Sequence, residues 1–151
     1  MSLTKNSNLV PVICNVYFSP IEDVDSIFSG TDRFHQIVVF NSGKSWQEIY
    51  FTPGTAEFNE KPKDNDAGTL FEQSLKFIFP GEDESNASAF DQVMDRPVLV
   101  KMQYSNGILK ILGTKEIPAR LSLVSQVTPK STGAQFEFNR SAPEKAQWLT
   151  P

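Results

Sequence analysis

The amino-acid sequence predicts a mainly β protein, an antiparallel β-sandwich or barrel with one packed α-helix at about residues 86–96 and a long hairpin at 97–114. Three observations lead to that class. Short runs of alternating apolar and polar residues recur along the chain, and turn signals such as Asn41-Ser42-Gly43, Pro53-Gly54, Pro80-Gly81 and Asn106-Gly107 fall between them. The aromatic content is 12 Phe, 3 Tyr and 2 Trp, residue types that favour strands.

From Val10 to Phe18, Val12, Cys14, Val16 and Phe18 share one face opposite Ile13, Asn15 and Tyr17, which predicts a strand with Cys14 as a small buried hydrophobe. Pro20 ends it. Val24, Ile27 and Phe28 then stand at helical spacing, but Gly30 follows so closely that one turn of helix or an ordered loop is expected. Phe34 to Phe40 is apolar on both sides and reads as a central strand. Trp46 to Thr52 forms a third, and Ala56 and Phe58 a short one before the polar segment Glu60 to Asp66.

Gly68 to Pro80 places Phe71, Gln73, Leu75, Phe77 and Phe79 on one side against Glu72, Ser74 and Lys76, the pattern of a long core strand. The run EDESNASAFDQVMDR predicts the helix: Asp83 or Ser85 is placed to cap it, its first turn is acidic, and Arg96-Pro97 closes it. Next comes the hairpin. Asn106-Gly107 suits a two-residue loop, which would set Ser105 opposite Ile108, Tyr104 opposite Leu109 and Met102 opposite Ile111. Val98, Val100, Met102, Tyr104, Leu109 and Ile111 then form the core face. Leu99, Ile108 and Leu112 are left as apolar exceptions among Lys101, Gln103 and Lys110. Ala119 to Val127 and Gly133 to Arg140 complete the strands, the latter with Ala134, Phe136 and Phe138 inward. Residues 9–140 are thus expected to form a single β-rich domain, flanked by a disordered segment at 1–8 and a tail at 141–151 in which Trp148 needs a surface to cover.

At 151 residues the chain is long enough to bury a core without disulfides or metals. A net charge of −4 opposes a large nucleic-acid footprint. The single cysteine, and the lack of an apolar signal core or membrane-length run, lead to the expectation of a protein folded in the cytoplasm with no membrane partner.

Motifs with chemical meaning are weak. Ser42-Gly43-Lys44-Ser45 lacks the first glycine of a phosphate-binding loop, which would fall at Val38. Asp64-Asn65-Asp66-Ala67-Gly68 is rich in oxygen ligands, but an EF-hand would need Gly at Thr69 and Glu at Leu75, so a solvated loop is the reading. His35 is the sole histidine and no strained nucleophile turn accompanies it. The acidic clusters at Glu22-Asp23-Asp25 and Glu82-Asp83-Glu84 do not stand out among 18 acidic residues. No catalytic, cofactor-binding or metal-binding residue is therefore assigned, and the chain is expected not to be an enzyme.

Several short features carry a resemblance. They are Pro20-Ile21-Glu22-Asp23-Val24 after the opening strand, Gly43-Lys44 with Trp46, Asp64 through Gly68, the Asn106-Gly107 hairpin ending in Leu112-Gly113, Ile117-Pro118-Ala119, and Gly133-Ala134-Gln135-Phe136-Glu137-Phe138. In their order they resemble an uncharacterised group of small structural proteins from Bacteroidetes phages and prophages, similar to tail-tube or tail-completion subunits of virions. That resemblance implies a non-enzymatic tail or head-tail subunit made in the bacterial host cytoplasm and carried in the virion. It would act by self-association into a ring or by docking to other phage structural proteins. Leu99, Ile108, Leu112 and Trp148 are the expected interface residues, the first three covered either by the helix Ala87–Arg96 or by another subunit, and the hairpin Val98–Leu112, the loop Lys61–Gly68 and the two ends of the chain are the expected contact segments. A different reading of the aromatics is a carbohydrate-binding β-sandwich using Trp46 and Tyr50 as its platform.

Overall fold

The computed structural model describes residues 11–30, 35–80, 91, 93–94, 96–125 and 133–150. These are mainly β. In chain order they form β1 (Ile13–Pro20), a single 3-10 turn (Ile21–Asp23), β2 (Val24–Ser29), β3 (His35–Phe40), β4 (Gln47–Ile49), β5 (Glu57–Asn65), β6 (Gly68–Pro80), β7 (Val98–Tyr104), β8 (Leu109–Leu112), β9 (Arg120–Ser125), β10 (Gly133–Ala142) and β11 (Gln147–Leu149). The strands build a seven-stranded sheet in the order β2-β3-β11-β8-β7-β1-β4 and a four-stranded sheet in the order β5-β6-β10-β9. Neither closes into a barrel, and β11 runs parallel to β3, so the larger sheet is mixed rather than purely antiparallel.

The main core lies between the sheets. Leu75, Phe77, Phe136 and Phe138 from the smaller sheet meet Val16, Ile49, Val98, Val100, Met102 and Leu112 from the larger one. Phe77 is at the centre: its ring lies 6.3, 6.0 and 5.9 Å from those of Phe51, Phe136 and Phe138. Alternation on β6 dictates this, since Gln73, Leu75 and Phe77 are all buried.

A second core follows from connectivity. β1 and β2 are joined by the three residues Ile21–Asp23, yet five strand spacings separate them in the sheet order. A flat sheet would put them about 24 Å apart at about 4.8 Å per strand. Four residue steps reach at most about 14 Å. The sheet must therefore roll, and on the inside of the roll Val24, Leu99, Ile111 and Leu149 pack with Ile27, Val38, Phe40, Trp46 and Leu109.

This roll corrects the hairpin. The turn holds Ser105, Asn106 and Gly107 rather than two residues: Gly107 N–H donates to Tyr104 O at 2.9 Å, and Tyr104 N–H donates to Ile108 O at 2.9 Å. Gly107, at φ 87°, takes the left-handed position that a three-residue loop requires. The extra loop residue shifts the register by one, pairing Val100 with Leu112 and Lys101 with Ile111. Leu112 therefore belongs to the main core, while Leu99 and Ile111 face the roll. The apolar second face of β7 is covered by the sheet's own β2, β3 and β11.

Other expectations are revised for similar local reasons. A register shift between Ile13 and Asn15 bulges β1 at Cys14, so Ile13 and Val16 are buried and Cys14 is exposed. A second shift, between Val24 and Ser26, lets Val24 and Ile27 share a side in a strand, which mimics helical spacing. The polar segment after Phe58 is not a loop, because β5 runs on to Asn65. In the expected tail at 141–151, the described residues 141–150 are not loose: β10 extends to Ala142 and β11 lies inside the larger sheet. Of the helix expected at 86–96, residues 86–90, 92 and 95 lie outside the described residues. Asp91 and Val93 are helical and Met94 bridges to Leu121, so a packed helix is not shown. The segment 1–8 also lies outside the described residues.

Candidate functional site

The smaller sheet does not cover the whole outer side of the roll. On β3, Val38 and Phe40 face the second core, so His35, Ile37 and Val39 face outward. Phe28 pairs with Ile37 across β2, and Trp148 pairs with His35 across β11, their rings 5.0 Å apart. The result is an outward apolar strip in which Phe28 is 49% exposed, Val39 38% and Trp148 44%. None of its residues belongs to either core cluster. It reaches β2, which among the described residues has a strand neighbour on one side only. At the start of β2, Lys115 Nζ donates to the carbonyls of Val24 and Asp25, both at 2.9 Å.

The second surface is the β5–β6 hairpin. Residues Lys61 to Thr69 are all exposed, so the tip stands clear of the core. Asn65 pairs with Gly68 around Asp66-Ala67, Ala67 N–H donates to Asn65 Oδ1 at 2.8 Å, and Thr69 Oγ1 donates to Asp64 Oδ1 at 2.6 Å. The oxygen-rich run is thus a hairpin turn whose side chains satisfy its own backbone. Lys61 and Lys63 flank Pro62 on the outer strand and reach Glu72 at 4.0 and 3.4 Å. Lysines and a proline on an edge strand discourage another strand from adding there.

Where the sheets part, a buried polar junction replaces the phenylalanines. Arg140, 6% exposed, continues the inward face of Phe136 and Phe138. Its Nε donates to Ile117 O at 2.7 Å, Nη1 donates to Gln73 Oε1 at 3.0 Å, and Nη2 lies 3.7 Å from Glu144 Oε1. Burial lowers the guanidinium pKa, while the charges of Glu144 and Glu60 act in the opposite direction. Gln73 Nε2 donates to Glu60 Oε2 at 2.7 Å and to Glu144 O at 3.2 Å, and Ala146 N–H donates to Glu60 Oε2 at 2.7 Å. Sequence reading missed this junction because Arg140 and Glu60 are ordinary polar residues until strand register brings them together.

The two groups of expected site residues separate. Leu99 and Leu112 are fully buried within the chain, whereas Ile108 and Trp148 are exposed. Trp46 is half-buried, edge-on to Phe40 with centroids 5.3 Å apart, and Lys101 Nζ lies 5.3 Å from its ring and 4.3 Å from that of Tyr17. Burial lowers the Lys101 pKa. Tyr50 is 66% exposed. On the outer face of the smaller sheet, Asn59, Ser74, Asn139 and Arg120 stand in register along an open polar groove of about 760 Å³.

Among the described residues, no group of three His, Cys, Asp or Glu side chains could hold a metal ion, and no helix is long and apolar enough to cross a membrane. Among the described residues, these surfaces define a two-sheet β protein that carries an exposed apolar strip. No family model matches it, and no curated protein or solved structure does so at a significant level.

Proposed function

We propose that the chain is a non-enzymatic structural subunit, of the phage tail or head-tail type that its sequence resembles, and that it assembles with further copies of itself. In this reading the two facing sheets are a β-sandwich whose seven-stranded layer is left uncovered where a neighbour docks. The supporting observation is the outward strip Phe28, Ile37, Val39 and Trp148 beside β2, an edge strand among the described residues. Aromatic anchors on such a surface supply most of an interface's binding free energy, and a strand edge beside them fixes the orientation of the partner. A second copy suits the position, because pairing across β2 would make the strips of both copies continuous. The β5–β6 hairpin, blunted at its own edge, would reach a neighbour with side chains rather than by adding a strand. Assembly would take place in the bacterial host cytoplasm, with the product carried in the virion.

Sedimentation velocity over a wide concentration range tests this. The unaltered chain is expected to sediment as a discrete oligomer at high concentration. Val39→Lys, which puts a charge in the strip without touching either core, is expected to raise the midpoint of association at least about tenfold, equivalent to about 1.4 kcal/mol. A monomer at every concentration, or an unchanged midpoint in the variant, contradicts the proposal.

A further inference from the structure

β2, an edge strand among the described residues, offers only part of its length to a further strand. Gly30 N–H donates to His35 O at 2.8 Å, which makes Gly30 and His35 a hydrogen-bonded pair at the end of the β2–β3 ladder. Bonded and non-bonded pairs alternate between antiparallel strands, so Ser26 and Phe28 turn their backbone groups toward β3. The N–H and C=O groups of Ile27 and Ser29 then point away from β3, along the edge.

Nearer the start of the strand, the bulge at Asp25 interrupts this alternation, and Lys115 takes the carbonyls it exposes. Its Nζ donates to Val24 O and Asp25 O, both at 2.9 Å, while Val24 N–H donates to Ile21 O. An ammonium group thus stands where the N–H groups of an added strand would have to donate, and a lysine at an edge discourages pairing there. The turn that presents Lys115 is closed by two hydrogen bonds of its own: Thr114 N–H donates to Ile117 O, and Ile117 N–H donates to Thr114 Oγ1, both at 3.0 Å. The edge open to pairing is therefore confined to Ile27 and Ser29, with Phe28 between them on the outward strip.

From this we infer that a second copy of this chain pairs antiparallel with β2 about a two-fold axis at Phe28, and that Lys115 fixes this register. The inference rests on the self-association proposed above and specifies where the copies meet. Two such two-fold registers bond both Ile27 and Ser29 to positions within β2 of the other copy. One sets Ile27 opposite Ser29 and centres on Phe28. The other sets Ile27 opposite Ile27 and Ser29 opposite Asp25, whose carbonyl Lys115 already holds. Lys115 thereby selects the first. In it the two Phe28 residues form a non-bonded pair with Cα atoms about 4.5 Å apart, and the outward strips of both copies become one surface.

Disulfide trapping reads the register, in chains that all carry Cys14→Ser to remove the exposed native thiol. The Phe28 register sets Ser26 opposite Gly30 of the other copy, and the alternative sets Ser26 opposite Phe28. Gly30 has room for a side chain, since an added Cβ would come no closer than 3.6 Å to His35 O. A Ser26→Cys chain mixed with a Gly30→Cys chain and oxidised at assembling concentration is expected to give a linked heterodimer in severalfold excess over either homodimer. Phe28→Cys alone is expected to close a homodimer, because a non-bonded antiparallel pair suits disulfide geometry. The first mixture keeps the Phe28 ring and so repeats the test should that ring be needed for association. Adding Lys115→Ala to every chain is expected to lower the Ser26–Gly30 product severalfold and to raise linkage of Ser26→Cys with Phe28→Cys. No heterodimer excess in the Ser26–Gly30 mixture, while these chains still sediment as oligomers, overturns the register and leaves association through the strip standing. The same products with and without Lys115→Ala overturn the role of Lys115. A monomer at every concentration for the unaltered chain overturns both the register and the association.

Discussion

Phe77→Ala is expected to lower the unfolding free energy by about 3–5 kcal/mol, the range for emptying a large aromatic site in a core. Phe77 has no solvent exposure and makes ring contacts with Phe51, Phe136 and Phe138. Its ring neighbours come from β10 and from the segment before β5, so collapse around the cavity would require both to move together. Urea unfolding with a constant slope reads the change directly. By contrast, Phe28→Ala removes a half-exposed ring and is expected to cost less than about 1 kcal/mol of folding stability, since surface positions away from special features change little. Similar losses for the two would contradict the assignment of Phe77 to the centre of the core.

Arg140→Ala is expected to cost about 3 kcal/mol, for a different reason. The substitution leaves the carbonyl of Ile117 and Oε1 of Gln73 without their donor in a site that water barely reaches, and it leaves Glu144 without its cation. Glu144→Ala removes a partner whose side chain is 53% exposed, while that of Arg140 is 2% exposed. An exposed partner contributes little, so this second variant is expected to lose less than about 1 kcal/mol. Comparing both in the same unfolding series separates the buried hydrogen bonds from the ion pair. Equal losses would show that the ion pair, and not the junction with Gln73 and Ile117, holds the arm that leads to β11.

How far the fold can be read from the sequence depends on whether one face of each element meets a core. β6 and β10 are legible because their inward residues alternate without interruption: Gln73, Leu75 and Phe77 on one, Phe136, Phe138 and Arg140 on the other, are all buried. β5 is hidden because its outer half projects past the core and has no apolar face, so a polar run that pairs residue by residue with β6 resembles a loop. Bulges at Cys14 and Asp25 conceal phase, since one extra residue reverses the sides of everything beyond it. The hairpin at β7–β8 is found by its Asn-Gly signal but misread by one residue, because that signal serves two-residue and three-residue loops alike.

The surfaces were less accessible. Leu99 and Leu112 attract attention as apolar residues on an otherwise polar face, yet their cover is intramolecular and comes from strands distant in sequence. Only the three-residue link between β1 and β2, combined with the strand order, shows that the sheet rolls over them. Trp148 is the exception, since an aromatic in a polar segment already signals a need for cover. The structure places it on the outward strip with Phe28 and Val39, which sequence pattern assigned to a helical turn and a central strand.

Amide hydrogen exchange followed at low and high protein concentration tests the proposed association most directly. Among the described residues β2 is an edge strand, so its outward amides in Ser26 to Ser29 should exchange readily at low concentration. Concentration-dependent protection of this stretch, extending to Val39 and Trp148 and absent from the tip of the β5–β6 hairpin's outer edge, is the expected result. Unchanged exchange in β2 and β3 at a concentration where the chain is demonstrably oligomeric would contradict it, and would place the contact between copies elsewhere on the molecule.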